Sequence, residues 1–230
     1  MILDVDGTLV DSNDAHAHAW VAAFASAGIT VAFDRVRRAI GMGGDKLMPA
    51  VSGISEDSPQ GKQIAERRGE IFREQYLPRL RPFPGTRALL QRLADAGLTL
   101  AIASSAKEDE LHPLLEVAGV ADLVRMRTSS DDAENSKPDP DIVHAALDRT
   151  GSAPDQTIMI GDTPYDVEAA LRAGIRIVGV TSGGWQRDDL RGAVEVYDGP
   201  GDLLAHYDAS VFARLPVDER RTELIEGDRE

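Results

Sequence analysis

The sequence contains no cysteine, no long apolar run and no dense basic segment. Without cysteine there can be no disulfide, no thiolate nucleophile and no zinc–thiolate site. No stretch reaches the roughly 18 consecutive apolar residues that a membrane-spanning helix needs. The segment that begins Met1-Ile2-Leu3-Asp4 also lacks the basic and apolar regions of a signal peptide. We therefore expect a cytoplasmic protein that does not associate with membranes.

Positive charge is scarce as well. The 230 residues include 25 Lys and Arg against 39 Asp and Glu, which gives a formal net charge of −14 at pH 7. The basic groupings, such as Arg37-Arg38 and Arg67-Arg68, are only pairs. Because such an acidic chain repels nucleic acid and anionic lipid, we expect neither as a partner. A small anionic substrate would need a site that brings its own positive charge or a metal ion.

The hydrophobic pattern from about residue 84 onward predicts alternating helices and buried strands. Short apolar runs at Leu98 to Ala103, Thr157 to Ile160 and Ile175 to Val180 have the length of buried strands. Leucines and other apolar residues at helical spacing lie between these runs. This alternation is typical of a parallel sheet that helices cover on both faces. We predict an α/β fold with a Rossmann-like parallel sheet.

The segment from residue 14 to 80 differs, because it carries helical patterns and no strand pattern. Pro82 and Pro84 mark the return to the alternating pattern. We therefore predict a discontinuous α/β core at 1–13 and 81–212. An all-helical insert would occupy 14–80, and a charged C-terminal tail 213–230.

Polar residues follow the predicted strands at the edge of the sheet where open parallel sheets bind ligands. Asp4 and Asp6 follow the first strand, and Asp162 follows the strand at 157–160. Two unit charges about 4 Å apart repel by about 4 kcal/mol at an effective dielectric of about 20, so clustered carboxylates favour a bound cation. An all-oxygen ligand set favours Mg²⁺ over zinc.

The same edge offers groups that suit a phosphate. Lys137 supplies a positive charge, Ser104 a hydroxyl group, and Gly7 and Thr8 lie in the loop whose backbone N–H groups are candidate donors. Asp4 at a strand end is a suitable nucleophile toward phosphorus once a metal neutralises the approach. The aspartate two residues later could protonate the leaving group and then activate water.

Four segments in this order resemble the motifs of the haloacid dehalogenase superfamily, in its phosphatase and phosphomutase branch. They are DVDGTLVDS at 4–12, AIASS at 101–105, KPDP at 137–140 and GDTPYD at 161–166. The resemblance implies Asp4 as nucleophile and Asp6 as general acid and base. It implies Mg²⁺ held by the Asp4 carboxylate, the Asp6 backbone carbonyl and Asp162, with Asp166 supporting the metal shell or Lys137. It also implies that the helical insert is a cap that closes over the site.

Within this superfamily, Asp6 argues against a 2-haloacid dehalogenase, because dehalogenases lack this acid and need no metal. A sugar phosphomutase is a stronger alternative, since the stretch around His16 is similar to β-phosphoglucomutases, where this histidine helps to couple cap closure to the general acid. Two departures count against it: the fourth motif is GDTPYD rather than a Glu-Asp version, and the loop at 41–46 has no phosphate-binding Arg. Lys46 is the residue that could substitute. A catalytically inactive binding protein would lack a nucleophile, acid or lysine, and none is missing.

The sequence therefore predicts a Mg²⁺-dependent phosphatase, similar to phosphoglycolate phosphatases, that passes through an aspartyl-phosphate intermediate. Its partner would be a small phosphorylated metabolite, and the chain would be a monomer or a homodimer. The candidate phosphate- and substrate-binding residues are Gly7, Thr8, His16, Lys46, Ser104, Ser105 and Lys137.

Overall fold

The computed structural model describes residues 1–214, and its centre is a six-stranded sheet. The strands lie in the order β3-β2-β1-β4-β5-β6, and every neighbouring pair is parallel. They are β1 (Ile2–Leu3), β2 (Ala101–Ala103), β3 (Met126–Thr128), β4 (Ile158–Gly161), β5 (Arg176–Val180) and β6 (Glu195–Tyr197). The Rossmann-like parallel sheet predicted from the sequence is confirmed.

The short strand β1 lies between β2 and β4. Ile2 is in register with Ala101 on one side and with Met159 on the other. The strand order reverses direction at this point, and the crevice beyond the carboxyl ends of such strands is where α/β sheets bind ligands. Asp4 is the first residue after β1, and its backbone N–H continues the ladder to the carbonyl of Ile160 at 3.0 Å.

The described residues form nine α-helices. They are α1 (Asn13–Ser26), α2 (Phe33–Arg37), α3 (Gly44–Ser52), α4 (Pro59–Ile71), α5 (Thr86–Asp95), α6 (Glu108–Ala118), α7 (Asp141–Thr150), α8 (Pro164–Arg172) and α9 (Pro200–Ala205). Successive strand residues point to opposite faces. Ile2 accordingly packs in one apolar cluster with Val143 of α7, and Leu3 packs in another with Leu111 of α6. Both faces of the sheet are therefore covered.

Helices α1 to α4 occupy the segment predicted as the insert. Helix α4 continues through a single π-helical turn at Phe72–Tyr76 and a 3-10 turn at Leu77–Arg79 before the chain returns to the sheet. No β-strand occurs between α1 and α5. The division into core, cap and tail remains a prediction, and residues 215–230 of the predicted tail lie outside the described residues. No helix in residues 1–214 is long and apolar enough to cross a membrane.

Candidate active site

The side chain of Lys137 joins two carboxylates beneath the carboxyl edge of the sheet. Its Nζ lies 2.6 Å from Asp4 Oδ1 and 2.7 Å from Asp166 Oδ1, and only 1% of the side chain is exposed. Burial lowers the pKa of Lys137, but Asp166 and Asp4 outweigh that effect and hold the pKa above its ordinary value. The lysine is therefore a fixed positive charge beside Asp4.

Asp4 and Asp162 face each other across the hydroxyl group of Thr8. Thr8 Oγ1 lies 3.1 Å from Asp4 Oδ2 and 3.1 Å from Asp162 Oδ1, and its single hydrogen can be donated to only one of them at a time. Burial raises the pKa of Asp4 to about 7, although Lys137 opposes the shift. Burial and the charge of Asp4 also raise the pKa of Asp162 well above its ordinary value. The positive charge around these two carboxylates is too small to offset the effect of burial on their pKa values.

The acidic cluster fits a hard divalent cation. One carboxylate oxygen from each of Asp4, Asp162 and Asp166 lies within 4.8 Å of the others, and all three residues are buried. The donor set is all oxygen, as Mg²⁺ prefers, and a bound cation would favour the ionised forms of Asp4 and Asp162, whose pKa values are raised. The structure places Asp166 in this cluster, whereas the carboxylate of Asp6 has other partners. Asp166 Oδ2 accepts hydrogen bonds from Thr163 N at 3.0 Å and Thr163 Oγ1 at 2.7 Å, which orients its other oxygen toward Lys137.

Asn13 holds the Asp162 carboxylate in place, and two glycines leave room for it. The sequence did not point to Asn13 or Gly183. Asn13 Nδ2 donates to Asp162 Oδ2 at 2.9 Å and to the carbonyl of Gly183 at 3.1 Å. A Cβ atom on Gly183 would lie 1.6 Å from Asp162 Oδ2, and one on Gly7 would lie 2.2 Å from it. Gly7 also has a φ of 77°, which favours glycine. Side chains at either position would displace the carboxylate.

The loop around Gly7 is stabilised by its own hydrogen bonds. Gly7 N donates to the carbonyl of Val10 at 2.8 Å, and Thr8 N donates to the carbonyl of Val5 at 3.3 Å. The predicted use of these two N–H groups as phosphate donors therefore does not fit this structure, because both already have acceptors. What Thr8 contributes to the site is its hydroxyl group.

The carboxylate of Asp6 points toward the helical insert. Asp6 Oδ1 accepts a hydrogen bond from Ser12 Oγ at 2.5 Å and lies 2.8 Å from His16 Nε2. Burial raises the pKa of Asp6, but His16, Ser12 and Arg68 together outweigh it, so the pKa lies below its ordinary value. His16 of the insert is therefore in direct contact with the candidate acid.

Arg68 fixes the tautomer of His16. Arg68 Nη2 lies 2.7 Å from His16 Nδ1, and Arg68 Nη1 donates to both oxygens of Glu110 at 2.7 and 2.6 Å. A guanidinium group has donors and no acceptor, so Nδ1 of His16 must accept and Nε2 must carry the hydrogen. His16 therefore donates to Asp6. The ring also stacks on Phe72, with centroids 4.0 Å apart.

The remaining candidate residues, Ser104, Ser105 and Lys46, have different surroundings. Ser104 is fully buried, and its Oγ accepts a hydrogen bond from Ala106 N at 3.1 Å. Ser105 Oγ donates to the carbonyl of Gly41 in the insert at 3.1 Å. Lys46 lies away from Asp4: its Nζ pairs with Asp139 and donates to the carbonyl of Ser136 at 2.5 Å.

Two adjoining cavities lie between the insert and the core. The inner cavity, of about 40 Å³, reaches Asp4 and Asp6, and the insert covers it with side chains that include His16 and Arg68. The outer cavity has a volume of about 610 Å³. Both are lined by Trp20, Met42, Arg68, Ser105 and Ala106. Lys46 lines neither, so its predicted contact with substrate finds no support in the geometry.

The site thus combines paired aspartates after β1 of a Rossmann-like sheet with a buried lysine beside the first of them. Residues 1–180 match the family of haloacid dehalogenase-like hydrolases, and the chain belongs to that family. It is 32% identical over 208 residues to a phosphoglycolate phosphatase of Rhodospirillum rubrum, covering 86% of each chain. A hydrolase structure from Pseudomonas syringae superimposes with a TM-score of 0.84 at 32% identity, over 90% of this chain and 97% of that one.

A phosphomutase structure shares the fold alone. The β-phosphoglucomutase of Clostridium difficile superimposes with a TM-score of 0.78, over 93% of this chain and 96% of that one, but at only 20% identity. Overall similarity therefore favours the phosphatases over the mutases.

Proposed function

We propose that this chain is a Mg²⁺-dependent phosphatase that hydrolyses a small phosphate monoester, with Asp4 as the nucleophile. The observation that carries the proposal is the buried contact of 2.6 Å between Lys137 Nζ and Asp4 Oδ1, within a cluster of carboxylates. A lysine placed there both favours the ionised form of Asp4 and provides a charge for the phosphoryl group. Phosphoglycolate, the substrate named for the relative in R. rubrum, is the first ester to test.

The carboxylates of Asp4 and Asp162 would hold the metal, together with the backbone carbonyl of Asp6. A bound Mg²⁺ neutralises charge on the phosphoryl oxygens during the transfer. Asp166 would keep Lys137 in position from the other side, because its two oxygens are divided between the lysine and Thr163. Ser104 and Ser105 are the proposed hydroxyl groups at the phosphate, with Ser105 lining the inner cavity.

In the first step a carboxylate oxygen of Asp4 attacks phosphorus, and the bond from phosphorus to the ester oxygen breaks. The departing oxygen takes a proton from Asp6. In the second step Asp6 removes a proton from water, the water oxygen attacks phosphorus, and the bond to Asp4 breaks to release inorganic phosphate.

The contacts of Asp6 support its role as the base most directly. His16 and Ser12 both donate to the carboxylate, and its pKa lies below the ordinary value, so the ionised form is favoured. For the acid role Asp6 must be protonated, and the negative charge of a bound phosphate monoester shifts its pKa in that direction.

Turnover of p-nitrophenyl phosphate tests this proposal. We expect activity that needs Mg²⁺, is lost on chelation, and falls by at least about 10⁴-fold in Asp4→Asn, which cannot form the covalent intermediate. Intact-protein mass spectrometry after rapid acid quench should show a phosphorylated wild-type chain and an unmodified variant. Asp188→Asn, whose side chain is 90% exposed, is the matched control and should behave like the wild type. Turnover that survives Asp4→Asn would refute the mechanism.

One observation favours the phosphomutase alternative, namely the contact between His16 and Asp6 at 2.8 Å. Against it, the amine of Lys46 is already bound to Asp139 and Ser136 rather than available for a second phosphate. Incubation with β-glucose 1-phosphate separates the two functions. A phosphatase releases glucose and inorganic phosphate, whereas accumulation of glucose 6-phosphate would favour the mutase.

A further inference from the structure

The insert holds the chain on both sides of Lys137. Lys46, near the start of α3, donates to the carbonyl of Ser136 at 2.5 Å and pairs with Asp139. Gly43 N donates to Ser136 Oγ at 3.0 Å, and Ser136 N donates to Asp45 Oδ2 at 3.3 Å. Residues 43–46 of the insert therefore contact the residue before Lys137 and the second residue after it.

The backbone position of residues 136–139 determines where the ammonium group of Lys137 lies. Lys137 Nζ lies 2.6 Å from Asp4 Oδ1 and 2.7 Å from Asp166 Oδ1. A shift of the backbone at Ser136 or Asp139 would be transmitted to Nζ, and displacements of about 1 Å in a catalytic group can cost roughly 100-fold in rate. Contacts that fix the neighbours of Lys137 therefore bear on catalysis without touching the substrate.

The core supplies its own, separate contact to the same carboxylate. Arg172 of α8 donates from Nη1 to Asp139 Oδ1 at 2.8 Å, whereas Lys46 binds Oδ2. Only Lys46 reaches the carbonyl of Ser136 at 2.5 Å as well. Both cations bind one partly exposed carboxylate, but only one of them belongs to the insert. Arg172 Nη1 also lies 3.5 Å from the carbonyl of Pro138, so the two residues compare contacts from the insert with contacts from the core to the same segment.

We infer that Lys46 is a positioning residue for Lys137: when the insert docks on the core, Lys46 binds Ser136 and Asp139 and so sets the backbone that carries the phosphate-binding lysine. The inference rests on the proposed function in one respect, that Lys137 binds the phosphoryl group. It assigns Lys46 a role different from the substrate contact expected from the sequence, consistent with its absence from both cavity linings.

Lys46→Met, Lys46→Arg and Arg172→Met test the inference. With p-nitrophenyl phosphate, Lys46→Met should lower kcat/KM and raise the inhibition constant of inorganic phosphate, each by about tenfold, because a misplaced Lys137 binds phosphate less well. Arg172→Met should stay within about twofold of the wild type in both quantities, since it leaves the contact with the insert in place. Lys46→Arg should recover most of the loss, because arginine keeps a donor for both partners.

Hydrogen exchange at the amides between residues 135 and 139 supplies a readout that does not depend on turnover. These amides should exchange faster in Lys46→Met than in Arg172→Met at equal thermal stability. Unchanged phosphate inhibition and unchanged exchange in Lys46→Met would overturn the inference. A loss that varies with the leaving group while phosphate inhibition stays constant would also overturn it and make Lys46 a substrate contact. If the wild type hydrolyses no phosphate ester, the proposed function fails, and the exchange comparison still decides whether Lys46 holds this segment.

Discussion

The ion pair between Arg68 and Glu110 makes a quantitative prediction about stability. The Glu110 side chain is 2% exposed and that of Arg68 is 15% exposed, and the guanidinium group donates to both carboxylate oxygens. Arg68→Met removes the partner of a buried carboxylate. Breaking a buried pair in this way costs about 3 to 5 kcal/mol, whereas exposed pairs contribute about 0 to 1 kcal/mol.

We expect the lower end of that range, about 3 kcal/mol in the free energy of unfolding. Arg73 Nη1 remains 3.8 Å from Glu110 Oε1 and offsets part of the loss, although its side chain is 39% exposed. For a chain of this size about 3 kcal/mol corresponds to a decrease in Tm of roughly 6 to 12 °C. Urea unfolding followed by circular dichroism measures the change.

Arg67→Met is the matched control one residue earlier on α4. Arg67 pairs with Glu70 on the surface, with side chains 47% and 44% exposed, so its replacement should cost less than about 0.5 kcal/mol. A double variant, Arg68→Met with Glu110→Met, should recover most of the stability, because no buried charge is then left without a partner.

The cation–π contacts of Arg68 offer a competing explanation for a loss of stability in Arg68→Met. Its guanidinium carbon lies 5.4 Å from the centroid of Trp20 and 5.3 Å from that of Phe72. If these contacts dominated, the double variant would be as unstable as Arg68→Met alone, and that result would refute the explanation through the unpaired carboxylate. We also expect Arg68→Met to lower kcat while leaving Mg²⁺ affinity unchanged, because Arg68 contacts His16 rather than the acidic cluster.

Two further predictions concern the metal site. Because burial raises the pKa of Asp4 to about 7 and that of Asp162 well above its ordinary value, Mg²⁺ binding near neutral pH must release protons, so affinity should rise between about pH 6 and pH 8. Isothermal titration calorimetry in two buffers of different ionisation enthalpy measures this release, and an affinity independent of pH would contradict the prediction. Gly183→Ala should weaken Mg²⁺ binding by at least about tenfold, since its Cβ would lie 1.6 Å from Asp162 Oδ2. Gly199→Ala, where the nearest side-chain atom is 3.4 Å away, is the control, and equal affinity in the two variants would disprove the placement of Asp162.

The sequence predicts the central strands well and the edge strands not at all. The apolar runs at Thr157 to Ile160 and Ile175 to Val180 lie within one residue of β4 (Ile158–Gly161) and β5 (Arg176–Val180). The edge strands β3 (Met126–Thr128) and β6 (Glu195–Tyr197) are largely half-buried, and each has a charged residue. Because an edge strand has a neighbour on one side only, its residues need not be uniformly apolar, and the apolar-run signal is lost.

The residues of the candidate site also fall into two groups, those that sequence motifs predict and those that they do not. Asp4, Asp6, Asp162, Asp166 and Lys137 stand in short motifs, so their relation to one another follows from strand ends that meet at one edge. Arg68, by contrast, reaches Glu110 across 42 residues of sequence, and Asn13 reaches Asp162 across 149. Neither pair has a local pattern. The first contact depends on how the insert lies against the core, and the second on how two distant parts of the core meet. A single sequence does not contain such long-range packing.

The charge balance of the site explains how so acidic a chain can take an anionic substrate. When fully ionised, Asp4, Asp162 and Asp166 oppose a single ammonium group, that of Lys137, which leaves two net negative charges in a buried volume. A phosphate dianion would be repelled there. Burial first, and the neighbouring carboxylates second, raise the pKa values of Asp4 and Asp162. One divalent cation brings the summed charge of these four groups to zero and leaves Lys137 beside Asp4. We therefore expect the metal to bind before or together with the ester, and phosphate binding to depend on the metal.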